Sequence, residues 1–402
     1  MQTEMRTRPT EKKRANVLIH KDMTITLAFD SFKGSLRSDE VADAFEEGLR
    51  TVLPDCEVRK TYVADGGEGT MEAIVRSLNG KIIETTVSDP IGRRVIARYG
   101  IIDNGQTAVI EMAEASGLTL LKPEERNPML TTTFGTGELI ADAIGRGCRK
   151  FLIGIGGSAT NDGGTGMLSA LGFRFLDKGR KPLKGCGSTL AEIVSIDASQ
   201  AMSELKDCEF VVACDVTAPL YGPNGAAHVF APQKGADKDL VEKLDKGLMN
   251  FAESIRKFNG KDVTGIPGGG AAGGMGAGMC ALLNARLERG IDMVLDAIRF
   301  ADIITGSDLV VTGEGKIDRQ TVMGKTPSGI LRMASAQGIP VIAIGGKIDW
   351  CDELKESGFA EILSINTNGM PTKKAMQRSI AYENVKRMGS LIALRYVTPD
   401  KK

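Results

Sequence analysis

Five loops that each follow an apolar run combine a carboxylate with glycine, lysine or a hydroxyl side chain. Glycine loops and helix N-termini bind phosphates, lysines offset negative charge, and carboxylates bind Mg²⁺ or accept a proton. For any single acid, a turn or a helix cap is the more common role. Their recurrence after successive apolar runs indicates the set of side chains that phosphoryl transfer requires. The loops are Asp30–Gly34, Asp65–Gly69, Asp162–Gly164, Asp215–Thr217 and Glu314–Asp318.

The most glycine-rich stretch follows an apolar run at residues 151–155, which predicts a buried strand. A strand, a glycine turn and a helix start offer backbone N–H groups to an anion, and glycine allows close approach to a phosphate. A plain βα turn is the alternative here. For a second glycine loop, at residues 268–278, a flexible inter-domain connection is an equal alternative. The predicted phosphate contacts are Gly156, Gly157, Ser158, Thr160, Gly273 and Gly274.

Residues 154–159 also fit the G-x-G-x-x-A fingerprint of dinucleotide-binding folds, and Asp177 lies about 20 residues further on. This match leaves an NAD-dependent 2-hydroxy-acid oxidoreductase as an alternative function. A non-catalytic nucleotide-binding regulator is a third interpretation. Residues 324–326 match the G-K-T end of a Walker A motif, G-x-x-x-x-G-K-[ST]. The motif is incomplete, because Arg319 occupies the position of its first glycine.

Composition narrows the function classes further. Lysine plus arginine equal aspartate plus glutamate, at 51 each, so no overall charge favours nucleic acid or a membrane surface. Only two histidines are present, which excludes a multi-histidine metal site. Seven cysteines, an odd number without a C-x-x-C pair, are typical of reduced thiols. We therefore predict a cytoplasmic protein with small-molecule partners, no nucleic acid and no membrane, and we leave a homo-oligomer open.

The order of predicted elements indicates an α/β fold with two domains. A β-α-β-α rhythm occupies residues 23–80 and returns near residue 301, which predicts one parallel-sheet (Rossmann/flavodoxin-like) domain made of both chain ends, 23–80 and 301–402. Between them, runs at residues 82–112 are separated by turns and predict an antiparallel or mixed sheet. Residues 81–300 are thus a larger inserted mixed α/β domain. Residues 1–22 are polar and are predicted to be a disordered N-terminal extension.

Eight blocks of the chain resemble, in the same order, those of the bacterial type-I glycerate kinase family. They run from about Ile25 to Ile365. The resemblance implies a kinase that uses ATP with Mg²⁺ to phosphorylate D-glycerate, with 2-phosphoglycerate as product, in two α/β domains with a cleft between them. The blocks are Asp30–Ser35, Ala64–Thr70, Asp89–Arg93, Glu111–Ala113, Gly156–Gly164, Cys214–Val216, Pro232–Ala236 and Thr312–Asp318.

If glycerate is the substrate, its carboxylate needs a cationic partner. A guanidinium binds a carboxylate through two hydrogen bonds, which favours Arg93, and Lys33 is the second candidate. Ser31 in the same loop as Lys33 completes the predicted substrate-binding set. For the neighbouring Arg94 a solvated surface charge is the preferred interpretation.

The last predicted residues are the aspartates that take part in catalysis or bind the metal ion. Asp215 follows a strongly apolar strand, where a carboxylate can orient an acceptor hydroxyl or bind Mg²⁺. The sequence does not divide these two roles, and Mg²⁺ commonly uses only one or two carboxylates. We favour Asp215 as proton acceptor. The predicted catalytic residues are Asp215, Lys33 and Asp318, and the candidate metal ligands are Asp65, Asp162 and Asp318.

Overall fold

The computed structural model describes residues 23–367 and 369–396. The chain divides into two compact units. The first contains the described residues up to Thr61 and those from Phe300 onward, and the second contains Tyr62–Arg299. The predicted α/β class is confirmed, with one parallel sheet and one mixed sheet. The predicted extension at residues 1–22 lies outside the described residues.

The strands of the described residues form a five-stranded, a six-stranded and a two-stranded sheet. They are β1 (Thr24–Phe29), β2 (Glu57–Tyr62), β3 (Lys81–Ser88), β4 (Arg94–Ile102), β5 (Thr107–Glu111), β6 (Lys150–Gly154), β7 (Arg174–Leu176), β8 (Ser195–Asp197), β9 (Glu209–Ala213), β10 (Arg286–Glu288), β11 (Leu309–Ile317), β12 (Val341–Ile348) and β13 (Glu361–Ser364).

Among the described residues, no helix combines the length and the apolar character needed to cross a membrane. The α-helices are α1 (Ser38–Arg50), α2 (Thr70–Ser77), α3 (Ala113–Ser116), α4 (Phe134–Gly145), α5 (Thr165–Ala170), α6 (Ala226–Phe230), α7 (Lys238–Asn259), α8 (Ala271–Leu282), α9 (Gly290–Ala297), α10 (Phe300–Ile304), α11 (Arg319–Val322), α12 (Thr326–Ala336), α13 (Asp352–Lys355), α14 (Thr372–Ala375) and α15 (Arg378–Tyr396).

The sheet of the first unit has the order β13-β12-β11-β1-β2. Its strands β13, β12, β11 and β1 run parallel to one another. The residues of β1 are all buried, as are the first six of β11. Strands buried on both faces have continuous apolar sequences, which is why these runs were readable in the sequence. Because parallel strands end at one edge of a sheet, the loops after β1, β11 and β12 meet there.

Helices α1 and α15 come from opposite ends of the chain and pack against each other. Glycines permit this close approach, because a Cβ at Gly48 would overlap the backbone of Lys386 and one at Gly389 would overlap that of Phe45. The ring of Phe45 also packs against Phe29 of β1, with 5.6 Å between ring centroids. The two segments of the first unit therefore share one core.

The large sheet of the second unit has the order β10-β9-β6-β5-β4-β3. Strands β5, β6, β9 and β10 are parallel, whereas β4 is antiparallel to both of its neighbours. The mixed sheet predicted for residues 82–112 is thus confirmed. Phe151 of β6 and Phe210 of β9 stack in its core, with ring centroids 4.8 Å apart.

The structure places the division between the units earlier than the predicted boundary at residues 80 and 81. Helix α2 packs against β4, β5 and α9, so it belongs to the second unit. The contact depends on Gly100 of β4, where a Cβ would overlap Val75 of α2. The order β1-α1-β2-α2 agrees with the predicted β-α-β-α pattern, but α1 packs on the sheet of the first unit and α2 on the large sheet of the second.

Candidate active site

The carboxyl ends of β1, β11, β12 and β13 surround a cavity of about 620 Å³ in the first unit. We call it the lysine cavity, because its charged lining consists of four lysines and two carboxylates. The excess of positive charge favours an anionic ligand. The charged lining residues are Asp30, Lys33, Glu314, Lys316, Lys325 and Lys347.

The two carboxylates of the lysine cavity are buried on neighbouring strands. Asp30 follows β1 and accepts a 3.0 Å hydrogen bond from Thr326 Oγ1. Glu314 of β11 accepts a 2.6 Å hydrogen bond from Thr321 Oγ1, and Lys325 Nζ lies 3.5 Å from its other oxygen. Burial raises the pKa of Glu314. Both carboxylates are therefore fixed in position at the edge of the sheet.

The loop after β1 brings Ser31, Lys33 and Ser35 to the lysine cavity. A β-bridge between Phe32 and Leu36 closes this loop, with a 2.8 Å hydrogen bond from the Phe32 N–H to the Leu36 carbonyl. The Ser35 hydroxyl is buried and has no partner within the described part of the chain. Two of the three predicted substrate-binding residues, Ser31 and Lys33, thus share one site.

Asp318 is next to this site but is not part of the cavity lining. It begins α11 by accepting a 2.9 Å hydrogen bond from the Gln320 N–H, and it forms an ion pair with Lys316 at 2.7 Å. The hydrogen bond from Lys316 lowers the pKa of Asp318. Its predicted roles in catalysis and metal binding stay predictions, and the observed contacts are those of a helix cap.

In the second unit, Asp65 and Asp215 lie close together near the carboxyl end of β9. Asp215 Oδ1 accepts a 3.0 Å hydrogen bond from the Gly290 N–H at the start of α9. A Cβ at Gly290 would overlap the Asp65 carbonyl, so the two backbones touch. Asp215 as a whole is exposed, but partial burial of its carboxylate raises its pKa, and the charge of Asp65 raises it too. Such a pair can bind a divalent cation or take up a proton.

The two glycine loops predicted to bind phosphates do come together in the second unit. The Gly163 N–H donates a 2.9 Å hydrogen bond to the Gly273 carbonyl. A Cβ at Gly273 would overlap the Thr160 carbonyl, and one at Gly274 would lie 2.8 Å from Leu220 Cδ1. Gly273 and Gly274 have φ angles of 67° and 92°, which favour glycine. Packing between the loops therefore already accounts for these two glycines.

A buried lysine that is not among the predicted site residues fixes the first glycine loop. Lys234 is 2% exposed and donates hydrogen bonds to Ser158 Oγ at 2.8 Å and to the Thr160 carbonyl at 2.6 Å. Burial lowers the pKa of Lys234 to about 7. Of the six predicted phosphate contacts, only Gly156 and Gly157 are exposed.

Asp162, a candidate metal ligand, is fully buried and its carboxylate is satisfied by the protein. Oδ2 accepts hydrogen bonds from the N–H and the Oγ1 of Thr133, each at 2.8 Å, and from the Gly166 N–H at 3.2 Å. Oδ1 accepts a hydrogen bond from the Gly164 N–H at 3.1 Å. These contacts stabilise the turn, and they give no support to a role in metal binding.

Arg93, the predicted glycerate clamp, is engaged by its own unit. Its Nε donates to Asp89 at 2.5 Å, and its two terminal nitrogens donate to Glu125 Oε1 and the Leu120 carbonyl, each at 2.9 Å. Asp89 is itself fully buried. The guanidinium is therefore occupied by internal acceptors, and the geometry favours a structural role for Arg93.

Some residues of the lysine cavity and of the glycine loops are not among the predicted site residues, although the sequence carried signals for them. Asp30 and Glu314 lie in loops that were identified, and Lys325 lies at the failed Walker A motif. Strand β11 continues past its apolar part to Ile317, and this places Glu314 within the strand. Lys234 lies in one of the recognised blocks, but its burial is a tertiary property that the block does not show.

The dinucleotide fingerprint does not have its expected context. In such folds the acid follows the strand beside the first one. Here β7, which precedes Asp177, pairs with β8 in a separate two-stranded sheet, whereas the neighbours of β6 are β5 and β9. The geometry thus removes the support for an NAD-dependent oxidoreductase.

Comparison with known proteins agrees with the blocks in the sequence. The sequence profile of the Glycerate kinase family matches residues 25–396. The chain belongs to the glycerate kinase family. This family member is 46% identical to the glycerate kinase of Bacillus subtilis (strain 168) over 361 residues, which cover 90% of this chain and 94% of that protein. It is 44% identical to the glycerate 2-kinase of Escherichia coli (strain K12) over 372 residues, covering 92% and 97%.

A solved structure shares the fold of this glycerate kinase family member. It is a crystal structure from Salmonella typhimurium LT2, named as a candidate glycerate kinase 2, with 43% sequence identity and a TM-score of 0.85. The similarity covers 93% of this chain and 98% of that one. The family predicted from the sequence is therefore confirmed, and these relatives give no support to an oxidoreductase.

Proposed function

We propose that the chain transfers the γ-phosphoryl group of ATP to D-glycerate and forms 2-phosphoglycerate. Relatives named glycerate kinase and glycerate 2-kinase support this activity. The structural observation that carries it is the lysine cavity, where four lysines face two carboxylates at the carboxyl edge of a parallel sheet. The transferring phosphoryl group and the leaving ADP are negatively charged, and positioned lysines offset this charge.

In this reaction the glycerate hydroxyl oxygen forms a bond to the γ-phosphorus while the bond from that phosphorus to the β–γ bridging oxygen breaks. Asp215 accepts the hydroxyl proton, and ADP leaves with the bridging oxygen. The raised pKa of Asp215 suits this role, because a general base works best when its pKa approaches the operating pH. Lys33 offsets the developing charge, and Ser31 offers a hydroxyl to a substrate oxygen.

The residues of the second unit fit Mg²⁺ at Asp65. Asp65 and Asp215 are adjacent carboxylates, and a divalent cation relieves their mutual repulsion. Within the described ranges no three His, Cys, Asp or Glu side chains form a metal-binding group. Mg²⁺ bound with nucleotide commonly uses one or two carboxylates plus phosphate oxygens. When bound, the ion neutralises phosphate charge.

We also place the reaction in the cytoplasm. All seven cysteines are free, as expected for a reducing compartment. The balanced charge supports a small-molecule substrate, because it gives no overall attraction to nucleic acid or a membrane surface.

A coupled assay of ADP release tests the proposed function, with D-glycerate, L-glycerate or no acceptor present. We expect ADP release only with D-glycerate, and a product that enolase converts to phosphoenolpyruvate. Enolase acts on 2-phosphoglycerate and so reports the position of the phosphate. ADP release that does not depend on glycerate would contradict the substrate, and a product inert to enolase would contradict phosphorylation at the 2-position.

A further inference from the structure

We propose that the lysine cavity is the adenine-nucleotide site, with the base against Trp350 and Met376 and the phosphates among the lysines. The proposal rests on the kinase function proposed above and adds the place where the nucleotide binds. It moves the nucleotide away from the glycine loops of the second unit, where the sequence pattern had suggested it.

The size and the lining of the cavity suit a nucleotide. A volume of about 620 Å³ lies within the usual range for small-molecule sites, roughly 300–1,000 Å³. A three-carbon acid would leave most of this space empty. The lining also has two chemically different parts, one charged and one largely apolar. The apolar part includes Ile348, Trp350, Ile365, Met370, Ala375 and Met376.

Trp350 and Met376 are suited to contact a planar base. Their exposed fractions are 56% and 43%, which is high for large apolar side chains that line a cavity. Met376 is close to the loop after β1, because a Cβ at Gly34 would lie 3.0 Å from its Cε. Aromatic faces stack on nucleobases, and a thioether packs well against an aromatic ring. A bound base would cover both side chains.

The charged part can accept a polyphosphate. Lys316 and Lys347 both contact Asp349, at 3.1 Å and 2.8 Å, and the lysine side chains are 51% and 63% exposed. Lys316 also pairs with Asp318 at 2.7 Å, which holds this lysine at the cavity. Exposed ion pairs of this kind contribute little stability, so phosphate oxygens can replace the Asp349 carboxylate. Lys325 adds a third cation beside the start of α12.

A buried hydroxyl in the cavity lining points independently to a ligand. Ser35 Oγ has no hydrogen-bond partner within residues 23–367 and 369–396, although buried hydroxyls are normally paired. A phosphate or ribose oxygen in the cavity would provide the missing partner. In the first glycine loop, Ser158 Oγ and the Thr160 carbonyl are bonded to Lys234. Thr160 Oγ1 and the Asn161 side chain also lack partners within the described residues, but both residues are fully buried, whereas Ser35 lines the cavity.

The chain contains a single tryptophan, so its fluorescence reports directly on this cavity. Purified full-length protein is titrated with ADP, ATP and D-glycerate, each in the presence of Mg²⁺. We expect saturable quenching by ADP and ATP and no change with glycerate alone. The proposal is overturned if the protein is an active kinase but ADP leaves the fluorescence unchanged.

Substitutions separate the base from the phosphates. We expect Trp350→Ala to raise the KM for ATP about tenfold, and Trp350→Phe, which keeps a stacking face, to have a much smaller effect. We expect Lys347→Ala to raise the KM for ATP about fivefold. Lys355→Ala is the matched control, because Lys355 is an exposed lysine of the same unit that pairs with Asp352 outside the cavity.

Two outcomes separate this proposal from the proposed function. If Lys347→Ala raises the KM for glycerate and leaves the KM for ATP unchanged, the cavity binds the acceptor and the nucleotide proposal is overturned. If ADP quenches Trp350 fluorescence but the wild-type protein releases no ADP with glycerate, the nucleotide site is supported and the proposed function fails.

Discussion

The lysine cavity of the first unit and the paired glycine loops of the second contain similar residue types but use them differently. In the cavity, Lys316 and Lys347 are more than half exposed and form ion pairs at the surface. In the glycine loops, Lys234 is buried and donates to two protein oxygens. The same residue types therefore differ in accessibility: exposed lysines can exchange a surface carboxylate for a ligand, whereas a buried lysine stays bonded to its own loop.

The largest expected effect tests whether the second glycine loop is packed or open. Gly273→Ala should reduce the free energy of unfolding by roughly 3 kcal/mol or more, because the new Cβ meets the Thr160 carbonyl and the backbone is left-handed. Gly156→Ala is the control, since nothing lies within 4 Å of its Cβ position. Denaturant unfolding measures both variants. A Gly273→Ala protein with normal stability and a raised KM for ATP would make this loop a nucleotide site.

The second prediction compares the two aspartates of the second unit. Asp215→Asn should lower kcat by roughly 10²–10⁴ with little change in either KM, because a proton acceptor is lost while its shape remains. In the wild type, activity should fall as the pH decreases through the raised pKa of Asp215, since only the ionised form accepts a proton. The variant should lack this acidic limb of the pH profile.

Asp162→Asn is the matched comparison. Its carboxylate accepts four hydrogen bonds from the protein, so this variant should lose stability and keep its kcat when folded. Near-normal kcat for Asp215→Asn at saturating Mg²⁺ would show that Asp215 is structural.

The strands of both sheets could be predicted from the sequence, but the boundary between the two units could not. Continuous apolar runs marked the parallel strands of the first unit, and runs separated by turns marked β3, β4 and β5. The position of α2 was not predictable in this way, because it depends on the missing side chain of Gly100 against Val75. A contact between residues distant in sequence leaves no periodic pattern.

The candidate site was predictable to a similar degree. Ser31 and Lys33 follow a readable strand, and both line the lysine cavity. Glu314 was missed because β11 continues past its apolar part, so that a polar residue lies within a strand. Trp350 and Met376 were missed because exposed apolar residues carry no recognisable sequence signal.

A smaller effect is expected for Arg93, which tests the internal ion pair against the predicted glycerate clamp. Arg93→Ala should lower the melting temperature by a few degrees, because it removes a partner from the buried carboxylate of Asp89. The KM for glycerate should not change. Arg94→Ala is the control, since Arg94 pairs with Glu138 near the surface. A raised KM for glycerate with unchanged melting temperature would restore Arg93 as the clamp.

The smallest expected effect is a pH dependence that distinguishes the buried lysine from the exposed ones. Burial lowers the pKa of Lys234 from 10.5 to about 7. Between these values the unfolded chain binds a proton that the folded chain does not, so this residue makes stability rise with pH in that range. Melting temperatures of the wild type and of Lys234→Met are compared at several pH values from 6.5 to 9.

The wild type should gain stability relative to Lys234→Met as the pH rises, and Lys347→Met should show no such trend because Lys347 is 63% exposed. A constant difference between the wild type and Lys234→Met at every pH would mean that Lys234 stays ionised in the folded chain. The glycine loop would then hold a buried cation next to Ser158, and the contrast with the lysine cavity would rest on geometry alone.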